Sequence, residues 1–200
     1  AKSKMVFVPD ADGTVGGVML AAPWTIAYKC TFHGRAAHAG MDPENGRSAL
    51  CMIARAIETM RLGRLDEETT ANVGTVNGGE AMNIVPPTAE MVWQLRSLDE
   101  QKYEDAKEEL INACRAAAEA FGGTVDFEQV GGTRGFRFNE NDPIIERAKS
   151  AIAASGIEPW TSVTCGGSDA NEFNENGLPA VVISVGYLDI HTNEESMPLD

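Results

Sequence analysis

The side chains able to do chemistry are few in this chain and sit at punctuated places. His33 and His38 lie in Phe32-His33-Gly34-Arg35-Ala36-Ala37-His38-Ala39-Gly40-Met41-Asp42-Pro43-Glu44-Asn45-Gly46-Arg47-Ser48-Ala49, where an apolar strand ends and a helix begins. Ala and Gly beside His38 leave its ring uncovered, and a turn built on Gly40, Pro43 and Gly46 can fix its direction, which is how an imidazole is offered to a ligand. A histidine that merely decorates the connection fits the same residues. Asp10 and His191 each follow the end of an apolar run. If those runs are strands of one sheet, a carboxylate and an imidazole meet at its C-terminal edge as half of a zinc or manganese site; a turn aspartate and a solvated loop histidine have the same spacing. Gly166-Gly167, ahead of Ser168-Asp169 at a helix start, offers backbone N–H groups to an anion such as a peptide carboxylate. A plain glycine turn capped by Ser168 or Asp169 looks alike. The D-x-D-G run from Asp10 puts Ala21 where a calcium loop needs a bidentate Glu, so calcium is not expected.

These residues need elements to position them. Met5 to Val8 reads as a short buried strand closed by a turn at Pro9 to Gly13; a first strand needs a partner, either from earlier residues or from a later segment. From Trp24 to Gly132 the expected order is strand (Thr25–Phe32), helix with a stripe of Leu50, Ile53, Ala54 and Ile57 stopped by Gly63, strand (Thr69–Val76), and strand (Ala89–Leu95) with Met91, Trp93 and Leu95 on one face. A helix capped by Asp99 follows, its face carrying Tyr103, Ala106, Leu110, Ala113, Cys114, Ala117 and Phe121, then Gly122-Gly123 and a last strand from Thr124 to Val130. That β-α-β-β-α-β order folds as a ferredoxin-like domain, a four-stranded antiparallel sheet with both helices on one face. After Gly131-Gly132 the pattern turns α/β: a helix from Asp142-Pro143, an extended piece to Cys165, a short helix, and Pro179 to Val185 apolar on both faces as a central strand would be. His191 falls just past that strand, where open α/β sheets place ligands.

Across 200 residues the formal charge is −14, without the clustered Lys and Arg that nucleic acid or an anionic membrane requires. The four cysteines form no C-x-x-C pair, so reduced thiols in a cytoplasmic protein are expected. Neither a leader sequence nor a membrane-spanning run is expected.

Several segments together, in order, closely resemble the peptidase T family of dimetal aminopeptidases, related to carboxypeptidase G and acetylornithine deacetylase. They are His33 to Gly40 with Pro43-Glu44, Leu62 to Asn72, Gly78-Gly79-Glu80-Ala81-Met82-Asn83-Ile84-Val85-Pro86, Arg96-Ser97, Gly166 to Asn171, and His191-Thr192-Asn193-Glu194. The resemblance implies an α/β catalytic domain with two zinc ions, interrupted by a lid or dimerisation domain. On that basis residues 1–23 and 133–200 are catalytic-domain segments and 24–132 is the lid. It further implies Asp10 and His191 as ligands of the two metals, His38 as the donor that steadies the oxyanion, and Asn83, Arg96, Gly166, Gly167 and Ser168 as substrate-binding groups. A short peptide is the implied substrate and a homodimer through the lid the implied assembly. The family's H-x-D motif, bridging Asp and Glu-Glu pair find no counterpart in this chain, so it is expected to be inactive alone. Two other readings share these residues: a non-catalytic dimerisation or interaction module, and an amidohydrolase acting on acylated amino acids.

Overall fold

The computed structural model describes residues 3–190 and 192–197. In chain order its elements are β1 (Val6–Ala11), β2 (Gly17–Ala22), β3 (Trp24–His33), α1 (Ala49–Thr59), β4 (Gly63–Arg64), β5 (Thr69–Gly78), β6 (Thr88–Ser97), α2 (Glu100–Ala120), β7 (Thr124–Thr133), β8 (Phe136–Arg137), α3 (Pro143–Ala154), β9 (Trp160–Val163), α4 (Asp169–Glu175) and β10 (Ala180–Ser184). They divide into two compact units, one built from the residues up to Trp24 and from Thr133 onward, the other from Thr25–Gly132.

In the first unit the strand order is β1-β10-β2-β8, with β9 also paired to β2. The partner that β1 requires comes from the far end of the chain: β1 runs parallel to β10, Val6 opposite Ala180 and Val8 opposite Val182. Alternate residues of β10 enter two separate cores. Val181 packs with Val18 and with Ile144, Ile145 and Ala148 of α3, while Val182 packs with Met19, Phe136 and Ala170 of α4. Helices therefore cover both faces, which explains a strand apolar on both sides. Two expectations change. The turn expected at Pro9 to Gly13 begins later, because β1 continues to Ala11 through an irregularity between Pro9 and Ala11. The segment Gly17–Ala22, not anticipated as a strand, is β2, which pairs with β8, β9 and β10.

In the second unit the order is β4-β5-β6-β3-β7. Leaving aside the two-residue β4, this is the ferredoxin-like arrangement, with β5 and β6 an antiparallel pair bulged between Val73 and Thr75. Both helices pack on β6. Met91, Trp93 and Leu95 are fully buried beneath them, and the buried face of α2 carries Tyr103, Ala106, Leu110, Cys114 and Ala117. The Asp99 carboxylate accepts the Lys102 N–H at 2.9 Å, capping α2. Its far end closes through Gly122 at φ +67°, with Gly123 N–H donating to Ala118 O at 2.9 Å. The stripe of α1 is shifted from the expected one. Ser48 Oγ accepts from Cys51 N–H and caps the helix start, and the face turned to the core carries Ala49, Met52, Ile53 and Ala56, whereas Ala54 is exposed. The helix ends at Thr59, and Gly63 belongs to β4 instead of stopping it. No described helix is long and apolar enough to cross a membrane.

Candidate functional site

In the second unit, β3 delivers the chain into a loop that is fastened on both sides. Gly34 N–H donates to Pro87 O at 2.7 Å, and Arg35 and Arg47 exchange backbone hydrogen bonds at 2.9 Å each. Any Cβ at Gly34 would collide with the Arg47 carbonyl, so the closure requires glycine. Within this loop His38 is exposed, and its Nδ1 accepts two backbone hydrogen bonds, from Gly40 N–H at 3.2 Å and Met41 N–H at 3.1 Å. An Nδ1 lone pair that accepts cannot carry the proton, so the neutral ring is the Nε2–H tautomer and presents a hydrogen-bond donor away from the turn. The neighbouring segment is stitched alongside: Ala39 N–H donates to Asn83 O at 2.9 Å, Val85 N–H to Ala37 O at 2.9 Å, and His38 bridges Ile84. His38 and Asn83 are thus brought together. Met41 and Met82 flank them with 81% and 100% of their surfaces exposed, more than any other large apolar side chain among the described residues.

Arg96 is not part of that pair. It lies on β6 opposite Thr70, with Nε donating to Gln94 Oε1 at 3.2 Å. Pro87, next to His38's loop, is nine residues away along an extended strand, roughly 30 Å at ~3.3 Å per residue.

In the first unit the residues group around a cleft of about 870 Å³ lined by Asp10, Asp12, Gly166, Gly167, Ser168, Tyr187 and Glu195, among others. Asp10 sits at the irregularity of β1, and Tyr187 Oη–H donates to its Oδ1 at 2.8 Å. Burial first, then this carboxylate, pushes the Tyr187 hydroxyl up to about 12. At the glycine turn, Gly166 N–H donates to Thr164 Oγ1 at 3.1 Å and Ser168 N–H to Asn171 Oδ1 at 3.0 Å. Ser168 Oγ accepts from Ala170 N–H at 3.2 Å, completing a capping box on α4. Asn171, 1% exposed, holds the turn to the rest of the unit by donating from Nδ2 to Arg134 O at 2.9 Å. Two of the turn's N–H groups therefore serve the fold itself.

His191 lies outside the described residues. Among those that are described, no group of three or more His, Cys, Asp or Glu side chains is placed to hold a metal ion. Asp10 is tied to Tyr187, and the acidic neighbours Asp12 and Glu195 do not complete a donor set, so these residues do not by themselves fit a two-metal centre. Tyr187 was not anticipated: nothing near it in sequence marks it, and its partner is 177 positions away. The exposed methionines had a signal, since Met41 and Met82 stand in Gly- and Asn-rich turns where no core stripe can use them.

The peptidase dimerisation domain (M20_dimer) family model matches residues 25–121. Protein YqjE of Bacillus subtilis (strain 168) is 39% identical over 191 residues, 96% of this chain and 52% of its own length. Among solved structures, aminopeptidase PepT from Bacillus cereus superposes with a TM-score of 0.90 at 38% identity, over 99% of this chain and 53% of that one. A tripeptidase from Staphylococcus aureus gives 0.88 at 33% identity, over 99% and 53%. The chain spans about half the length of the relatives it matches. Residues 25–121 are thus a peptidase dimerisation domain of the M20 type, and over its whole length the chain is similar to peptidase T-like aminopeptidases.

Proposed function

We propose that this chain supplies the substrate-facing and dimerising part of a peptidase T-like enzyme that removes N-terminal residues from short peptides. The observation that carries the reading is the double N–H clamp on His38 Nδ1, which leaves Nε2–H as a fixed donor on an exposed loop. Such a donor suits a carbonyl oxygen that gains negative charge, because its direction is set before the reaction and needs no reorganisation. Asn83, stitched to the same loop, is the companion substrate-binding group, and Gly166, Gly167 and Ser168 border the cleft that would take the peptide. Arg96 is a substrate-binding group only for a peptide or partner copy at the other end of β6. Asp10 and His191 are one carboxylate and one imidazole toward zinc, a centre these residues do not complete, so the chain's own contribution to the reaction is binding and oxyanion support. The lid sheet provides the homodimer contact.

The test is a pair of substitutions in the full-length protein. His38→Ala is expected to lower kcat by about 10²–10³-fold with metal content unchanged, whereas His191→Ala is expected to lose metal. Tripeptide turnover that is unaffected by His38→Ala would overturn the reading. The 200-residue chain alone is expected to show no hydrolysis.

A further inference from the structure

Two long apolar side chains stand in water at the place where the lid offers its hydrogen-bond donor. Met41 and Met82 are almost wholly exposed, whereas Met19, Met52, Met60 and Met91 are buried in the cores of the two units. Backbone hydrogen bonds fix where the exposed pair sits. Met41 supplies one of the two N–H groups that His38 Nδ1 accepts, at 3.1 Å. Met82 directly precedes Asn83, whose carbonyl accepts Ala39 N–H at 2.9 Å. Ala36, Ala39 and Gly40, also exposed, add no bulk beyond a methyl group around His38. Side chains this exposed take no part in either core, and apolar surface gathered at one exposed place marks a binding site. Methionine has an unbranched, polarisable stem that moulds itself to apolar groups of different shape.

We propose that Met41 and Met82 form an adaptable apolar subsite beside His38 that takes a side chain flanking the bond to be cleaved, so that short peptides with Leu, Met or Phe there are preferred. The inference rests on the reading of His38 and Asn83 as substrate-binding groups, since it is their peptide that brings the side chain within reach. A peptide whose carbonyl oxygen lies on His38 Nε2–H carries its two nearest side chains within about one residue length of that oxygen, ~3.3 Å. That is no more than the reach of a methionine side chain. Contact then removes apolar surface from water on both partners, a gain that a Ser or Gly side chain does not offer. A second copy of the chain seated on the same patch is the competing occupant, and the test separates the two.

The test uses the full-length protein with Met41→Gln and Met82→Gln together, which keep the Met41 backbone N–H and so the clamp on His38. The ratio of kcat/KM is measured for Leu-Gly-Gly against Ser-Gly-Gly and for Gly-Leu-Gly against Gly-Ser-Gly. In at least one series the unsubstituted protein is expected to favour Leu by about 10–200-fold, and the double variant to lose about tenfold of that ratio. Met41→Leu with Met82→Leu is expected to restore it. Methyl NMR of the methionines reads binding without turnover: the Met41 and Met82 signals are expected to move with the Leu peptide and to stay in place with the Ser peptide. Absence of a Leu preference in both series, its retention in the double Gln variant, or methyl signals that ignore the Leu peptide overturns the proposal. So does loss of self-association in that variant with the ratio intact, which would make the patch a contact between two copies. If His38→Ala leaves turnover unchanged while both methyl signals still answer the Leu peptide, the role given to His38 falls and the subsite stands.

Discussion

Which end of His38 faces outward is decided by two backbone N–H groups and not by its neighbours' side chains. This separates two substitutions at one position. An added Cβ at Gly40 would meet the His38 ring no closer than 3.8 Å, an ordinary contact, so Gly40→Ala is expected to leave the tautomer unchanged. Gly40→Pro removes one of the two donors, and nitrogen NMR of the imidazole is expected to show Nδ1–H tautomer appearing. His38 was legible in the sequence because Ala and Gly on both sides left it uncovered; the clamp was not, since backbone direction within a turn leaves no mark on residue type. Tyrosines extend the same scale to pH. Burial raises Tyr103 to about 12 from an ordinary value near 10, so the folded protein holds this proton more tightly than the unfolded chain does. Its contribution to stability is therefore complete below pH 10 and is lost as pH rises from 10 through about 12. Urea titrations over that interval should show stability falling, and Tyr103→Phe should lack that part of the fall.

For the elements, the ferredoxin-like unit could be read from its pattern because its strands alternate and its second helix has a capped start and a glycine end. Leu110, 2% exposed at the centre of the α2 face, is the sensitive point: Leu110→Ala is expected to cost about 2–5 kcal/mol. Asp99→Ala, which removes the cap, is expected to cost about 1 kcal/mol. Equilibrium unfolding in urea measures both, and equal losses would contradict the packing described for α2. Where reading failed, the cause was phase or context. In α1, apolar residues at Leu50, Ala54 and Ile57 offer a stripe as regular as the true one, and packing on β6 and α2 selects between them. For β2, Gly17 to Ala22 lacks the alternation of a half-buried strand, because it is almost wholly buried within a sheet covered on both faces. The two-residue strands β4 and β8 are set by their partners across the sheet and carry no local pattern of their own.

At the scale of the whole molecule, the first unit is assembled from the two ends of the chain, and its parallel β1–β10 pair joins residues separated by most of the sequence. Folding of that sheet must wait for a very long loop closure, whereas the second unit is one contiguous stretch of chain. Pulsed hydrogen exchange during refolding is expected to protect Met91, Trp93 and Leu95 before Val181 and Val182; the reverse order would mean that the sheet of the first unit nucleates without the second. The pairing of Ala22 with Phe136 bears on how the chain could have come to be built. The strand that leads into the second unit and the strand that returns from it lie side by side, closed by Trp24 packing where Gly135 has no room for a side chain. Everything between those two points is, to the first sheet, a single very long hairpin turn. Such a segment is a cassette: it can be exchanged for another, or cut back to a few residues, without any strand of the host sheet changing its neighbour.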